Sequence, residues 1–351
     1  MTPLLHPFLV NQPFGDPAVY VEFKFAKRAL LFDLGDLHAL NARKILRLSD
    51  IFVSHMHVDH FIGFDQVLRI LLGRDQEVRL YGPAGFLAAV EHRLASYAWN
   101  LVERYASDLR FLVTEVHSAS EASSAVFRLQ NRFRKEEAGE HHLTGGTVLD
   151  DSTIRVRAAV LDHGIPCLAY AVEETAHVNV WKTRLLEMGL PVGPWLRELK
   201  QAVLRGEPDE TEIRVWSKRD GPNKDLFLPL GLLKSKVLRI VPGQKIAYVV
   251  DAAFTEENTR RIVDLAHGAD TLFIEACFAQ EDVERAALRR HLTTAQAGQL
   301  ARQAGVRRMV PFHFSPRYEG EEARLRREAG EAFAGRSGSM TTPRSGTVRQ
   351  T

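Results

Sequence analysis

Residues 18–25 alternate apolar and polar side chains, the period-2 pattern of a strand with one covered face. Residues 29–32 and 51–53 are unbroken apolar runs, each stopped by a polar turn, as in strands covered on both faces. The spacing over 63–72 is helical, and 78–81 is strand-like again. Pro83 then opens a helical stretch to about Tyr97, because proline suits the first turn of a helix. Residues 109–116, 153–160 and 167–172 read as strands. Between the first two lies 118–146, rich in Ser, Glu, Arg and Gly, which reads as a partly mobile insertion loop.

Beyond 173 the pattern changes. Residues 173–245 hold two amphipathic helix candidates, 180–188 and 195–204, joined by Gly189-Leu190-Pro191-Val192-Gly193-Pro194 and followed by polar stretches. So long an excursion between core strands predicts an inserted arm rather than more sheet. Regular alternation then resumes. Strands are expected at 246–250, 271–274 and 308–312, and helices at 255–266, 281–288, 293–304 and 321–333. Residues 335–351 are poor in apolar side chains and read as a flexible tail after one large unit, 1–334.

Composition removes several classes. The chain has 351 residues, 45% hydrophobic and 26% charged, so it is long enough for a substantial core and is not disordered. The net charge of +2 gives no global field, so nucleic-acid binding would rest on local patches. Two runs qualify: 128–135, with Arg132, Phe133 and Arg134, and the arm around Trp216, Lys218 and Arg219. No stretch approaches the roughly 20 apolar residues of a membrane helix. Residues 1–16 lack the basic and apolar regions of a secretory signal. Cys167 and Cys277 stand far apart and form no disulfide framework, so a cytoplasmic location is expected.

The unusual feature is 14 histidines, and where they fall. His55-Met56-His57-Val58-Asp59-His60 follows an apolar strand and precedes a helix. Four imidazole or carboxylate groups so close together suit Zn²⁺ and similar ions. Further ligands are expected where later strands end. His163, Asp251 and His313 each stand just after an expected strand. One such residue means little; the same relation three times over points to a built centre.

These motifs resemble the metallo-β-lactamase fold superfamily, and within it the ribonuclease Z family of tRNA 3′-processing endonucleases. Asp162-His163-Gly164-Ile165-Pro166 through Tyr170, the Gly189–Pro194 segment with Leu199-Lys200, and His291-Leu292-Thr293-Thr294 leading to His313-Phe314-Ser315-Pro316-Arg317-Tyr318 are similar to family segments. The resemblance spans about 30–333. It implies an α/β fold, a four-layer αββα sandwich with an inserted arm at about 173–245. It implies two Zn²⁺ per chain, with Mn²⁺ or Fe acceptable to the same ligands. His55, His57 and His163 would hold one ion, and Asp59, His60 and His313 the other, with Asp251 between them. Asp59 would also take the nucleophile's proton. His291, matching a family histidine held to deliver a proton, would be the general acid, steadied by Glu275 in Ile274-Glu275-Ala276-Cys277. The implied reaction is removal of 3′ trailers from precursor tRNA by metal-hydroxide attack, with the arm clasping the tRNA; the family tends towards homodimers.

The chain departs from the family in places. The glycine-rich N-terminal segment is absent, Phe32-Asp33-Leu34-Gly35-Asp36 is altered, and the Glu275 loop has Ile274 and Cys277 in place of His and Thr. Two other readings stand beside this one: a dinuclear hydrolase of small phosphodiesters or other esters on the same fold, favoured by the lost glycine-rich segment, and a non-enzymatic metal-binding structural or RNA-binding module, disfavoured because every ligand position is filled. Metal content separates the second from either enzyme.

Overall fold

The computed structural model describes residues 4–175, 177–216, 226–241 and 243–335. Eight strands come first: β1 (Leu5–Leu9), β2 (Val19–Phe23), β3 (Ala29–Phe32), β4 (Leu48–Phe52), β5 (Glu77–Pro83), β6 (Arg110–Val116), β7 (Glu121–Arg128) and β8 (Lys135–His142). They lie side by side in chain order in a single sheet. Strands β3 to β6 run parallel, and both flanks are antiparallel. Parallel neighbours need crossovers, and the helices Phe64–Leu71 and Phe86–Ala95 supply two of them.

Three further strands follow, β9 (Thr147–Asp150), β10 (Ile154–Asp162) and β11 (Pro166–Glu174). The arm then contributes β12 (His177–Val180), β13 (Glu212–Val215), β14 (Leu226–Pro229) and β15 (Leu238–Val241). The chain returns with β16 (Lys245–Val249), β17 (Thr271–Glu275) and β18 (Met309–Phe312). The second large sheet has the order β18-β17-β16-β11-β10-β9.

The two sheets face each other across a core of Phe32, Phe52, Tyr81, Tyr170, Tyr248 and Phe312. Phe52 stacks on Phe32 and Tyr81 at centroid distances of 5.0 and 4.9 Å. On the outside of the first sheet, Phe64, Val67, Phe86 and Val90 bury the apolar faces of its helices. On the outside of the second, the helices Glu256–Ala266, Thr294–Gln303 and Glu322–Phe333 bury Ile262, Leu300 and Leu325. The result is the expected αββα sandwich.

Three expectations need correction. The insertion loop over 118–146 is mostly the antiparallel pair β7–β8, which widens the first sheet. Strand β8 reads KEEAGEHH and is almost wholly exposed, so it carries no apolar alternation to reveal it. Its charges suit an edge, where they discourage pairing with another chain. Pro83 ends β5 instead of opening a helix, which begins at Phe86 after Gly85 at φ +91°. The turn is possible because Gly82 has no Cβ: one there would lie 2.3 Å from the Phe86 ring. Strand β1 also went unseen, since Pro7 and His6 interrupt its apolar run; proline is tolerated there because β1 lies at the sheet edge.

The arm joins neither large sheet. It forms two ribbons, β12–β15 and β13–β14, with the helices Lys182–Glu187, Trp195–Leu204 and Leu230–Val237. Its own core gathers around buried Trp195, Leu199, Leu230 and Leu233. Lys218 and Arg219, and the expected tail beyond Gly335, lie outside the described residues. Among the described residues no helix is long and apolar enough to cross a membrane.

Candidate metal centre

The strands set the positions of the side chains. His55 lies just past β4, and His57 caps the short helix Val58–Phe61, which carries Asp59 and His60. His163 follows β10, Asp251 follows β16, Glu275 ends β17 and His313 follows β18. His291 lies just before the helix Thr294–Gln303. Asp251 and His313 adopt left-handed backbone, at φ +45° and +58°. Such conformations cost about 1–3 kcal/mol and persist where the surroundings demand them, often at functional sites.

Every expected ligand converges here. Asp251 Oδ2 is 3.5 Å from His55 Nε2, 3.5 Å from His60 Nε2 and 3.4 Å from His163 Nε2. Asp59 Oδ2 is 3.5 Å from His60 Nε2 and 3.4 Å from His313 Nε2. Asp251 Oδ1 is 2.8 Å from His313 Nδ1. The donor atoms fall into groups, each within 4.8 Å: His55, His57, His163 and Asp251 in one, and Asp59, His60 and His313 in another. Asp251 also joins Glu275, His291 and His313 in a third.

The residues fit metal ions. Buried His60 Nε2, Asp251 Oδ1 and His313 Nδ1 have no well-formed hydrogen bond. An orphaned buried polar atom is expensive, and three around one point argue for a group that satisfies them. Imidazole with carboxylate is the donor set of Zn²⁺ and its neighbours.

The electrostatics agree. Burial, aided by His60, drives His55 down to about 2, so it stays a neutral ligand. Burial opposes a proton on His60, but Asp251 and Asp33 outweigh it and raise the group well above its ordinary value. His313 is likewise raised, against burial, to about 10 by Asp251 and Asp59. Burial would raise Asp59, yet the neighbouring His313 and His60 imidazoles hold it well below the usual carboxylate range. Metal uptake displaces protons from such ligands.

A layer of supports was not foreseen. Buried Asp33, at φ +58°, accepts from His60 Nδ1 at 2.8 Å, Tyr248 Oη at 2.6 Å, Ser54 Oγ at 2.8 Å and Ser54 N at 2.6 Å. The Arg290 carbonyl accepts from His163 Nδ1 at 2.8 Å. Both contacts fix the tautomer that turns Nε2 inward, which is how supporting groups tune metal ligands. The altered Phe32–Asp36 segment was the one signal pointing to Asp33.

His291 and Glu275 form a separate pair. His291 Nδ1 is 3.0 Å from Glu275 Oε2, and Glu275 Oε1 accepts from Ala252 N at 2.8 Å. A carboxylate partner puts the proton on Nδ1 and leaves Nε2 to exchange protons. Burial would lower His291, but the Glu275 charge and hydrogen bond raise it. His291 borders a cleft of about 380 Å³, lined also by His57, Asp59, His163 and His313. The basic run 128–135 does not line it. Phe133 is buried against Trp99, and Arg128 and Lys135 pair with Asp108 and Glu137.

The sandwich and its strand-end histidines define a metallo-β-lactamase fold hydrolase. The metallo-β-lactamase fold protein YhfI of Bacillus subtilis superposes with a TM-score of 0.50 at 13% identity, over 92% of this chain and 87% of that one. No family model matches the chain. It is 31% identical over 337 residues to a ribonuclease Z of Deinococcus radiodurans, covering 94% of this chain and 96% of the relative. A ribonuclease Z of Bacillus velezensis is 30% identical over 315 residues, 86% and 83% of the two chains. The chain belongs to the ribonuclease Z family.

Proposed function

We propose that this protein is a metal-dependent endoribonuclease that removes 3′ trailers from precursor tRNA, leaving a 3′-hydroxyl on the tRNA and a 5′-phosphate on the trailer. The observation that carries it is a full set of seven donors beside an independent His–carboxylate pair, in a chain of this family. His55, His57 and His163 would hold one ion, Asp59, His60 and His313 the other, and Asp251 would face both. We assign two Zn²⁺, with Mn²⁺ or Fe accepted by the same donors.

The bound ions supply Lewis acidity at the phosphoryl group and lower the pKa of water towards neutrality. The chain does the rest. Asp33 and the Arg290 carbonyl hold His60 and His163 in the ligating tautomer. Asp59, kept ionised, is placed to accept a proton from the attacking water. His291 delivers a proton from Nε2 to the leaving 3′-oxygen, and Glu275 steadies the imidazolium that does so. Buried free Cys167 and Cys277 suit a reducing cytoplasm. A homodimer is the assembly we assign to it.

The direct test is cleavage of a 3′-extended precursor tRNA by the zinc-loaded protein, beside bis(p-nitrophenyl) phosphate. Cleavage after the discriminator base is expected. Hydrolysis of the small diester with an intact precursor would instead make it a hydrolase of small phosphodiesters.

The acid role gives a pH prediction. If protonated His291 is the active form, rate falls as pH rises through its pKa. Glu275 raises that pKa, so Glu275→Gln is expected to move the falling alkaline limb of kcat to lower pH. An unmoved limb in the pH–rate profile refutes the pairing.

A further inference from the structure

The loop between β1 and β2 reaches the cleft with Phe14, Gly15 and Asp16. It is well anchored. Asn11 Nδ2 donates to the Asp16 and Asp36 carbonyls, each at 2.8 Å, and Phe314 N donates to the Pro13 carbonyl at 2.9 Å. Half-buried Phe14 packs edge-on against Phe314, with centroids 5.5 Å apart and planes at 60°. One aromatic ring is thus propped at the cleft with part of its surface open.

Another part of the wall is the end of the helix Val283–Arg289. Two arginines stand there, and they are treated differently. Arg290, at φ +59°, is tied to the Asp162 carboxylate at 3.0 Å. Arg289 is exposed, lines the cleft and has no ion pair or hydrogen bond among the described residues. Among the described residues it is the only lysine or arginine on a lining that also carries the carboxylates of Asp16, Asp59 and Asp251. A polynucleotide brings a negative charge with every phosphate, and the ions answer only those at the reacting centre. A free guanidinium is suited to a neighbouring phosphate, and an open aromatic face to a base.

We infer that Phe14 and Arg289 form a nucleotide subsite next to the metal centre: the Arg289 guanidinium holds a backbone phosphate adjacent to the scissile one, and Phe14 stacks on a flanking base. This rests on the ribonuclease reading of the cleft. It adds a recognition element within the catalytic body, separate from the arm.

The test compares Arg289→Ala, Phe14→Ala and Phe14→Tyr with the parent enzyme, all zinc-loaded, on precursor tRNA and on bis(p-nitrophenyl) phosphate. Arg289→Ala is expected to raise KM for the precursor about tenfold and to reduce the slope of log(kcat/KM) against log[salt] by about one, as for one lost phosphate contact. Phe14→Ala is expected to lower kcat/KM on the precursor about 5- to 150-fold, the usual weight of one base stacked on an aromatic ring, and Phe14→Tyr to restore most of it. In both alanine variants the loss on the precursor should exceed that on the small diester by about fivefold or more, with zinc content at the parent's level. An unaltered salt slope and KM in Arg289→Ala, or equal losses on the two substrates, would overturn the subsite while the ribonuclease reading stands. A parent enzyme that hydrolyses the diester but leaves the precursor intact would overturn that reading instead.

Discussion

Replacing Asp251 with alanine is expected to empty both metal positions and abolish hydrolysis. Its carboxylate lies within 3.5 Å of ring nitrogens from both ligand sets: His55 and His163 on one side, His60 and His313 on the other. Without it, His60 and His313 also lose the main charge that favours their protonated forms, while remaining buried. His60 would keep Asp33 and Asp59, and His313 would keep Asp59, as acidic partners, and alanine on the left-handed backbone of position 251 would strain the fold as well as the site. Asp251→Asn separates the two effects. Asparagine tolerates the left-handed backbone at φ +45° and keeps the side-chain shape, while removing the charge and one acceptor oxygen. It should fold with near-parental thermal stability yet retain far less than two ions after dialysis, read by elemental analysis. Two tightly held ions in that variant would refute a shared ligand at 251.

The second large effect is at His291. Alanine there is expected to slow turnover roughly 10²- to 10⁴-fold, the usual weight of a general acid or base, and to leave metal content intact. The geometry offers a rival role, because His291 also groups with Asp251, Glu275 and His313 as potential ligands. The hydrogen bonds favour the acid. Glu275 spends one oxygen on the Ala252 amide and the other on His291, and His291 Nδ1 is spent on Glu275 in return. Loss of an ion in His291→Ala, seen by the same elemental analysis, would make it a ligand.

The site was more legible in the sequence than the sheet edges were. His55, His57, Asp59 and His60 stand together in the chain, so their chemistry is visible without a fold. Asp251 and His313 could be found because each follows a largely apolar run, and His163 because it follows a strand marked by alternation, so the end of each strand is a defined place. Asp33 and Tyr248 could not. Each is a single polar residue in an apolar segment, and only the packing of one sheet on the other brings them within 2.6 Å. The Arg290 carbonyl is a backbone atom and leaves no mark in the sequence. Strand β8 failed for the opposite reason: an exposed edge needs charge, and charge looks like loop. The arm's ribbons are only four residues long each, too short for alternation to separate them from turns.

The strand order of the first sheet has a kinetic consequence. Strands β1 to β8 pair only with chain neighbours, so none of these contacts waits for distant sequence. Local pairing forms quickly, and N-terminal structure forms first during synthesis. In the second sheet, by contrast, β11 must wait for β16 beyond the whole arm. His55, His57, Asp59 and His60 therefore take their places early, as half of a centre. The other half arrives piecemeal, with His313 supplied only after β18, the last strand among the described residues. During biosynthesis this order favours closure of the metal centre as a late event, so that hydrolytic competence reports a completed second sheet.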